Sequence, residues 1–369
     1  SSMRKKGRIW IRRCKMQKAI TFNKSGYDPF IDYIKAFAII SVLIGHTFPY
    51  PDYWGYGLWI GMQVPYFVLV QSFHSFKRES PAFHFTKFLK RIFVPFLLIQ
   101  FFLFVFLFIK NGDYDIERLL KMCVVSGGFG PGSYYPWIYL QIAILLPCLK
   151  KWMDKCSKKT LIFIFLFICE SFEILSAVIN LPDYIHRLLG VRYFFLLYFA
   201  WMWVREGIII NKKAVFFSLL SLLIAIYFYY FSINDEPFFY QTAWKCHRWP
   251  CYYHVAVGGV FLLDIIYKRI SKRKILDNYI KLLAKNSYEI FLIQMAVLVV
   301  FPSISSIEEG LKGFGISAPV YVLSLLKFMR IAIVFIVSIW GGKILNNVFG
   351  KFIIERKNGY IQKNNKLHS

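Results

Sequence analysis

The run Phe30-Ile31-Asp32-Tyr33-Ile34-Lys35 through Gly45-His46 sets a carboxylate, an ammonium and an imidazole in an otherwise apolar stretch. A charged side chain inside such a stretch costs about 3 kcal/mol, which marks these residues as candidates for function. Lys35 and His46 are eleven residues apart. At about 100° per helical residue they return to within about 20° of one face, with the imidazole about 16 Å beyond the cation. Asp32 lies one turn before Lys35 on a neighbouring face. A cation can hold an anionic group at one end of this stripe, and an imidazole is the side chain best suited to take a proton near neutral pH at the other. The same residues also fit a plainer account, in which Asp32 and Lys35 pair at a membrane boundary and His46 ends a helix.

Glu170 and Glu173 stand one turn apart in LFICESFEIL. They could orient His46 or bind the hydroxyls of a ligand, or pair with Arg187 or Arg192 for structure. Asp264, Lys327 and Arg330 read as ion partners between helices. Seven cysteines are scattered along the chain. The spacing of Cys246, Cys251 and His254 matches no standard zinc pattern, so no metal is expected. A disulfide between Cys246 and Cys251 and two free thiols stay equally open.

These residues need elements to hold them, and the composition says which. Of 369 residues 57% are hydrophobic, 20% aromatic and 18% charged, and mean hydropathy is +0.48. Apolar runs near twenty residues recur, each long enough to cross a hydrocarbon layer of about 30 Å as a helix. Strands of a membrane barrel would alternate in polarity, and these runs do not. The reading is an all-α, polytopic integral membrane protein with spans at about 30–48, 57–74, 92–109, 134–149, 160–179, 190–204, 214–232, 251–267, 286–303 and 319–342.

The net charge of +26 invites a nucleic-acid partner, but such binders gather their cations on one surface. Here 35 of the 46 Lys and Arg fall in every second inter-span segment, and eight lie in the opposite ones. That asymmetry orients ten spans with both termini in the cytoplasm of a multi-pass cell-membrane protein, and nucleic acid is excluded as a partner. Residues 1–29 form a basic cytoplasmic segment, 30–347 the transmembrane domain and 348–369 a basic tail. No cleavable leader is expected, because no short apolar segment with a small-residue cleavage site follows the basic start. The outer loops at 49–56, 110–133 and 233–250, rich in Pro, Gly, Tyr and Trp, suit ordered turns.

The stretch from Asp32 to His46 resembles the opening of the membrane acyltransferase-3 family, whose first helix carries a basic residue, ten residues and a histidine. Lys35 stands where arginine is usual, as in the fucose 4-O-acetylase-like branch. Further segments follow in order: Val64-Pro65-Tyr66-Phe67, the basic entry Lys87 to Pro95 with Arg91 as its best match, Trp137-Ile138-Tyr139-Leu140, and Ser287 to Gln294, where Gln294 replaces a histidine. The resemblance covers about residues 28–345. It implies an O-acyltransferase that moves an acyl group, usually acetyl from acetyl-CoA, onto a hydroxyl of an envelope polysaccharide or lipid-linked sugar. His46 would be general base, with Asp32 and Glu173 as further catalytic candidates. Lys35, Lys87, Lys90 and Arg91 would hold the phosphates of acyl-CoA, and Glu170, Trp137, Tyr139 and Gln294 the acceptor. Membrane lipids complete the expected partners. The competing class is a proton-coupled transporter or flippase using the same buried ionisable groups.

Overall fold

The computed structural model describes residues 18–20, 28–47, 63–111, 116–233, 253–301, 304–313 and 319–365. The basic run before residue 18, the outer loop at 49–56, Cys14, and the Cys246 and Cys251 pair lie outside the described residues. Within them the chain is helical, apart from a small antiparallel ribbon that pairs β1 (Lys18–Ile20) with β2 (Ile208–Ile210).

The first helix starts where a side chain satisfies a free backbone donor. Asp28 accepts the backbone N–H of Phe30 at 3.0 Å and Pro29 opens α1 (Pro29–Thr47). An acceptor followed by a proline without an N–H is a strong start signal. After α2 (Gln63–Phe76) comes α3 (Phe85–Lys110), which contains a wider π-helical turn at Leu89–Phe93. Next are α4 (Ile116–Ser126), α5 (Tyr135–Met153), α6 (Lys158–Val178), α7 (Asp183–Leu188) and α8 (Phe194–Glu206). Gly207, at φ +75°, ends α8 in a backbone conformation that suits glycine. The chain continues through α9 (Lys212–Ile233), α10 (Val260–Ile270), α11 (Lys274–Lys285), α12 (Ser287–Val300), α13 (Ile304–Gly313) and α14 (Val320–Asn365).

Among the described residues three helical stretches are long and apolar enough to cross a membrane: Pro29–Thr47, Phe85–Lys110 and Tyr321–Phe349. A fourth would be the pair α11 and α12, which meet at a bend of 71°. Other expected spans form helices that are shorter or more charged. The helices α2, α8 and α12 have 14, 13 and 14 residues, about 21 Å at most. Lys158, Lys159, Glu170 and Glu173 interrupt α6. The structure also puts helix where loop was expected, in α4, α7, α11 and α13. These carry polar residues on one side, a pattern easily read as a surface loop when the eye is on twenty-residue runs.

The chain divides into two compact units, and the division passes through α1 between Ala38 and Ile39. The first comprises Ser1–Ala38, Pro51–Phe83 and Ile138–Lys281; the second comprises Ile39–Tyr50, His84–Trp137 and Leu282–Ser369. In the first unit α2 and α6 pack on α8, around the buried Leu69, Phe73, Phe165, Leu196 and Ala200. In the second, α12 packs on α3 and on α14. A Cβ at Gly342 would stand 2.6 Å from the backbone nitrogen of Ile290, so α12 and α14 meet backbone to backbone. Small residues allow this approach between helices in an apolar medium. The window of α1 is 67% buried, against 22% for α3 and 11% for α14, whose outward side chains include Phe101, Ile109 and Phe328.

Candidate active site

In the first unit the base of α1 is a polar cluster. Lys35 pairs with Asp32 at 3.5 Å, with Asp32 nearly buried. One residue along, the Tyr33 hydroxyl donates to Asp277 on α11 at 2.9 Å, and Asp277 also pairs with Lys281 at 2.6 Å. Tyr267 packs edge-on against Phe30 and Tyr33. Lys35 is half-buried, and its charge acts on His74 of α2 together with those of Lys77 and Arg78.

The helix is unbroken from Lys35 to His46, so the sequence spacing applies directly. His46 is on the last turn, half-buried, and makes no side-chain hydrogen bond among the described residues. The neighbouring Thr47 hydroxyl donates to the Leu43 carbonyl at 2.6 Å. Asp32 is joined to Lys35 and stands about 21 Å along the axis from His46.

Glu173 of α6 was expected to orient His46 or to pair with Arg187 or Arg192. Its partner in the structure is His186 of α7, whose Nε2 stands 3.1 Å from a Glu173 carboxylate oxygen. Arg192 reaches the other ring nitrogen, Nδ1, at 3.1 Å, while Phe172 stacks on the imidazole with ring planes 10° apart. His186 and Arg192 are almost wholly buried. The link from Glu173 to Arg192 therefore runs through a histidine that the pattern of apolar runs did not single out. The available signal was position: His186 lies between Arg187 and Arg192 on one side and a carboxylate pair on the other. Glu170, one turn earlier, is half-buried. Tyr139 is also half-buried, and its carbonyl accepts the Gln71 amide at 2.9 Å. Asp264 is a correction: it pairs within α10, with Lys268, because the next turn of its own helix supplies a cation.

In the second unit Lys87, Lys90 and Arg91 are exposed around the π-helical turn of α3. The charge of Arg91 acts on Glu289 of α12, and the hydroxyl of Tyr288 donates to the Ile92 carbonyl at 2.7 Å. The loop before α5 lies flat on α12. Gly132 has φ +87°, and a Cβ there would come 2.6 Å from the Phe291 ring. The loop is held by Gln100 Nε2, which donates to Phe129 O at 3.2 Å, and by Ser133 Oγ, which donates to Gly128 O at 3.0 Å. Trp137 spends its indole N–H on the Gly127 carbonyl at 2.7 Å and meets Phe93 edge-on, which leaves its ring half-buried. Gln294 is fully buried on α12, and neither its amide nitrogen nor its oxygen meets a hydrogen-bond partner among the described residues. A buried polar group without a partner costs about 1–3 kcal/mol of stability.

The expected residues thus divide by unit, with Asp32, Lys35, Tyr139, Glu170 and Glu173 in the first and His46, Lys87, Lys90, Arg91, Trp137 and Gln294 in the second. Among the described residues no group of three His, Cys, Asp or Glu side chains could hold a metal ion.

Comparison with known proteins gives one family. No curated protein and no solved structure matches the chain. The model of an acyltransferase domain matches residues 28–345, a stretch that contains the helix-one stripe, the basic entry to α3 and the Gln294 segment. The protein belongs to the membrane-embedded acyltransferase-3 family and is an acyltransferase.

Proposed function

We propose that the protein transfers an acyl group, acetyl in the simplest case, from cytoplasmic acyl-CoA to a hydroxyl of an envelope polysaccharide or lipid-linked sugar. The observation that carries this reading is the unbroken helix α1, with Lys35 and His46 eleven residues apart on one face. In this reading the protein spans the membrane ten times with both termini in the cytoplasm, as the 35-to-8 division of its cations supports. Lys35, Lys87, Lys90 and Arg91 then meet the donor phosphates from the inner side, where charge-assisted hydrogen bonds are strong.

The acyl arm runs along α1 from cation to imidazole. His46 removes the proton from the acceptor hydroxyl as its oxygen attacks the thioester carbonyl. The tetrahedral intermediate collapses with loss of the thiolate, which takes the proton from the imidazolium and leaves as the free thiol. General base help of this kind contributes about 10²–10⁴-fold. Asp32 acts through its ion pair, as a positioning residue for Lys35. Glu170, Tyr139, Trp137 and Gln294 are the proposed acceptor side, and the buried amide of Gln294 has the strongest support, since a sugar hydroxyl would satisfy both its donor and its acceptor.

The test is transfer of a labelled acetyl group from acetyl-CoA by purified protein in membrane mimetics. His46→Ala should bind acetyl-CoA as the wild type does and transfer at least about 100-fold more slowly. A folded His46→Ala protein working at the wild-type rate would remove the assignment.

A further inference from the structure

The helix α11, KILDNYIKLLAK, is amphipathic, with Lys274, Asp277, Lys281 and Lys285 on one side and Ile275, Leu276 and Tyr279 on the other. A surface helix in water turns its apolar side inward. Here the polar side meets the protein: Asp277 is half-buried and accepts from the Tyr33 hydroxyl at 2.9 Å and from Lys281 at 2.6 Å. At about 100° per residue, Ile275 and Tyr279 each stand about 160° round the helix from Asp277. They face outward, Ile275 being 73% exposed and Tyr279 63%, with Leu276 beside them at 41%.

Cations border this apolar face. Arg269 lies in the last turn of α10, Lys272 and Arg273 form the link to α11, and Lys274 opens it. All four are exposed, and none enters an ion pair among the described residues. Two neighbouring cations are committed, Lys268 to Asp264 and Lys281 to Asp277. The positive-inside bias accounts for the free cations, but not for the large apolar side chains exposed next to them. Four charged residues in twelve also keep α11 out of the hydrocarbon, where each costs about 3 kcal/mol. An exposed apolar face bordered by Lys and Arg, with a tyrosine on it, matches the boundary between headgroups and acyl chains.

We propose that α11 is an in-plane interfacial helix that binds anionic phospholipid. Ile275, Leu276 and Tyr279 enter the upper acyl chains. Arg269, Lys272, Arg273 and Lys274 take the headgroup phosphates through charge-assisted hydrogen bonds. The bilayer then seats the opposite side of α11, with Asp277, on Tyr33, in the turn of α1 that carries Asp32 and Lys35. Lipid on one side of α11 thus holds the base of the first helix on the other. The proposal is independent of the acyl-donor reading.

The experiment uses the full chain in nanodiscs of phosphatidylcholine with and without phosphatidylglycerol. Photoreactive benzoylphenylalanine in place of Tyr279 should form adducts with lipid acyl chains, identified by mass spectrometry of the labelled peptide. Lys272→Gln/Arg273→Gln/Lys274→Gln should lower the phosphatidylglycerol retained relative to phosphatidylcholine by about tenfold or more, counted by native mass spectrometry. Hydrogen exchange across residues 274–285 should rise in Ile275→Ser/Tyr279→Ser, which keeps every cation. Adducts to protein in place of lipid at position 279 would assign the face to a partner chain and overturn the proposal. Phosphatidylglycerol retention unchanged in the triple variant would overturn it equally. The adduct is read in a chain that keeps every cation, and it decides the matter if the triple variant does not fold.

Discussion

Arg192 Nη1 donates a hydrogen bond to His186 Nδ1 across 3.1 Å, with both side chains almost wholly buried. A guanidinium has no acceptor, so Nδ1 must be the unprotonated nitrogen and Nε2 must carry the hydrogen. That hydrogen points at Glu173, 3.1 Å away. The imidazole is therefore neutral, and it carries the carboxylate's demand for a donor across to the guanidinium.

His186→Ala removes the imidazole that links a buried guanidinium to a carboxylate. The expected loss is about 3 kcal/mol of stability, the scale on which removing one member of a buried charged network acts. Thermal unfolding in detergent checks this against Tyr184→Ala, an exposed neighbour on the same helix. Equal losses in the two variants would show that the relay contributes nothing.

Gln294→Leu separates stability from function. The substitution removes two buried polar atoms that lack partners, so the variant should match or exceed the wild type in unfolding free energy, by up to about 1–3 kcal/mol. The proposed acceptor role requires KM for the sugar to rise while KM for the acyl donor holds. A variant both less stable and unaltered in acceptor KM contradicts the two expectations together.

For the ion pair at the base of α1, a double-mutant cycle of Asp32→Asn and Lys35→Gln should give a coupling of about 0.5–1 kcal/mol in unfolding. The pair is 3.5 Å long and Lys35 is partly solvated, which limits its strength. If Lys35 also holds the donor, Lys35→Gln raises KM for acyl-CoA with kcat little changed, whereas Lys35→Arg restores it.

Two glycines give opposite signs. Gly132→Ala forces a side chain into a left-handed backbone and against Phe291, and should cost about 1–3 kcal/mol. Gly310 sits inside α13 with nothing within 4 Å of a new Cβ, and Gly310→Ala should stabilise by about 0.5–1 kcal/mol. Paired melting curves decide it.

How much of this was legible in the sequence depends on the range over which the signal acts. The helix α1 is legible because Phe30 to Thr47 is one apolar run of about a span's length, and period alone brings Lys35 and His46 near one face. The family likeness rests on the same local runs, and its extent of about 28–345 coincides with the matched domain. Glu173 shows the limit. Its partner sits thirteen residues away on another helix, and no pairwise spacing ranks His186 above Arg187 or Arg192 before the chain folds. The segment 286–303 was read as a full span because its composition is apolar, yet α12 ends at Val300 after 14 residues.

The notch formed by Gly341 and Gly342 against Ile290 and Ile293 has a mechanical consequence. Gln294 is one turn on from Ile290 and adjacent to Ile293, so its backbone is riveted to α14, the longest helix among the described residues, at the point where the proposed acceptor role would use its amide. Any rearrangement that admits a substrate to that amide has to carry α12 and α14 together, as one lever.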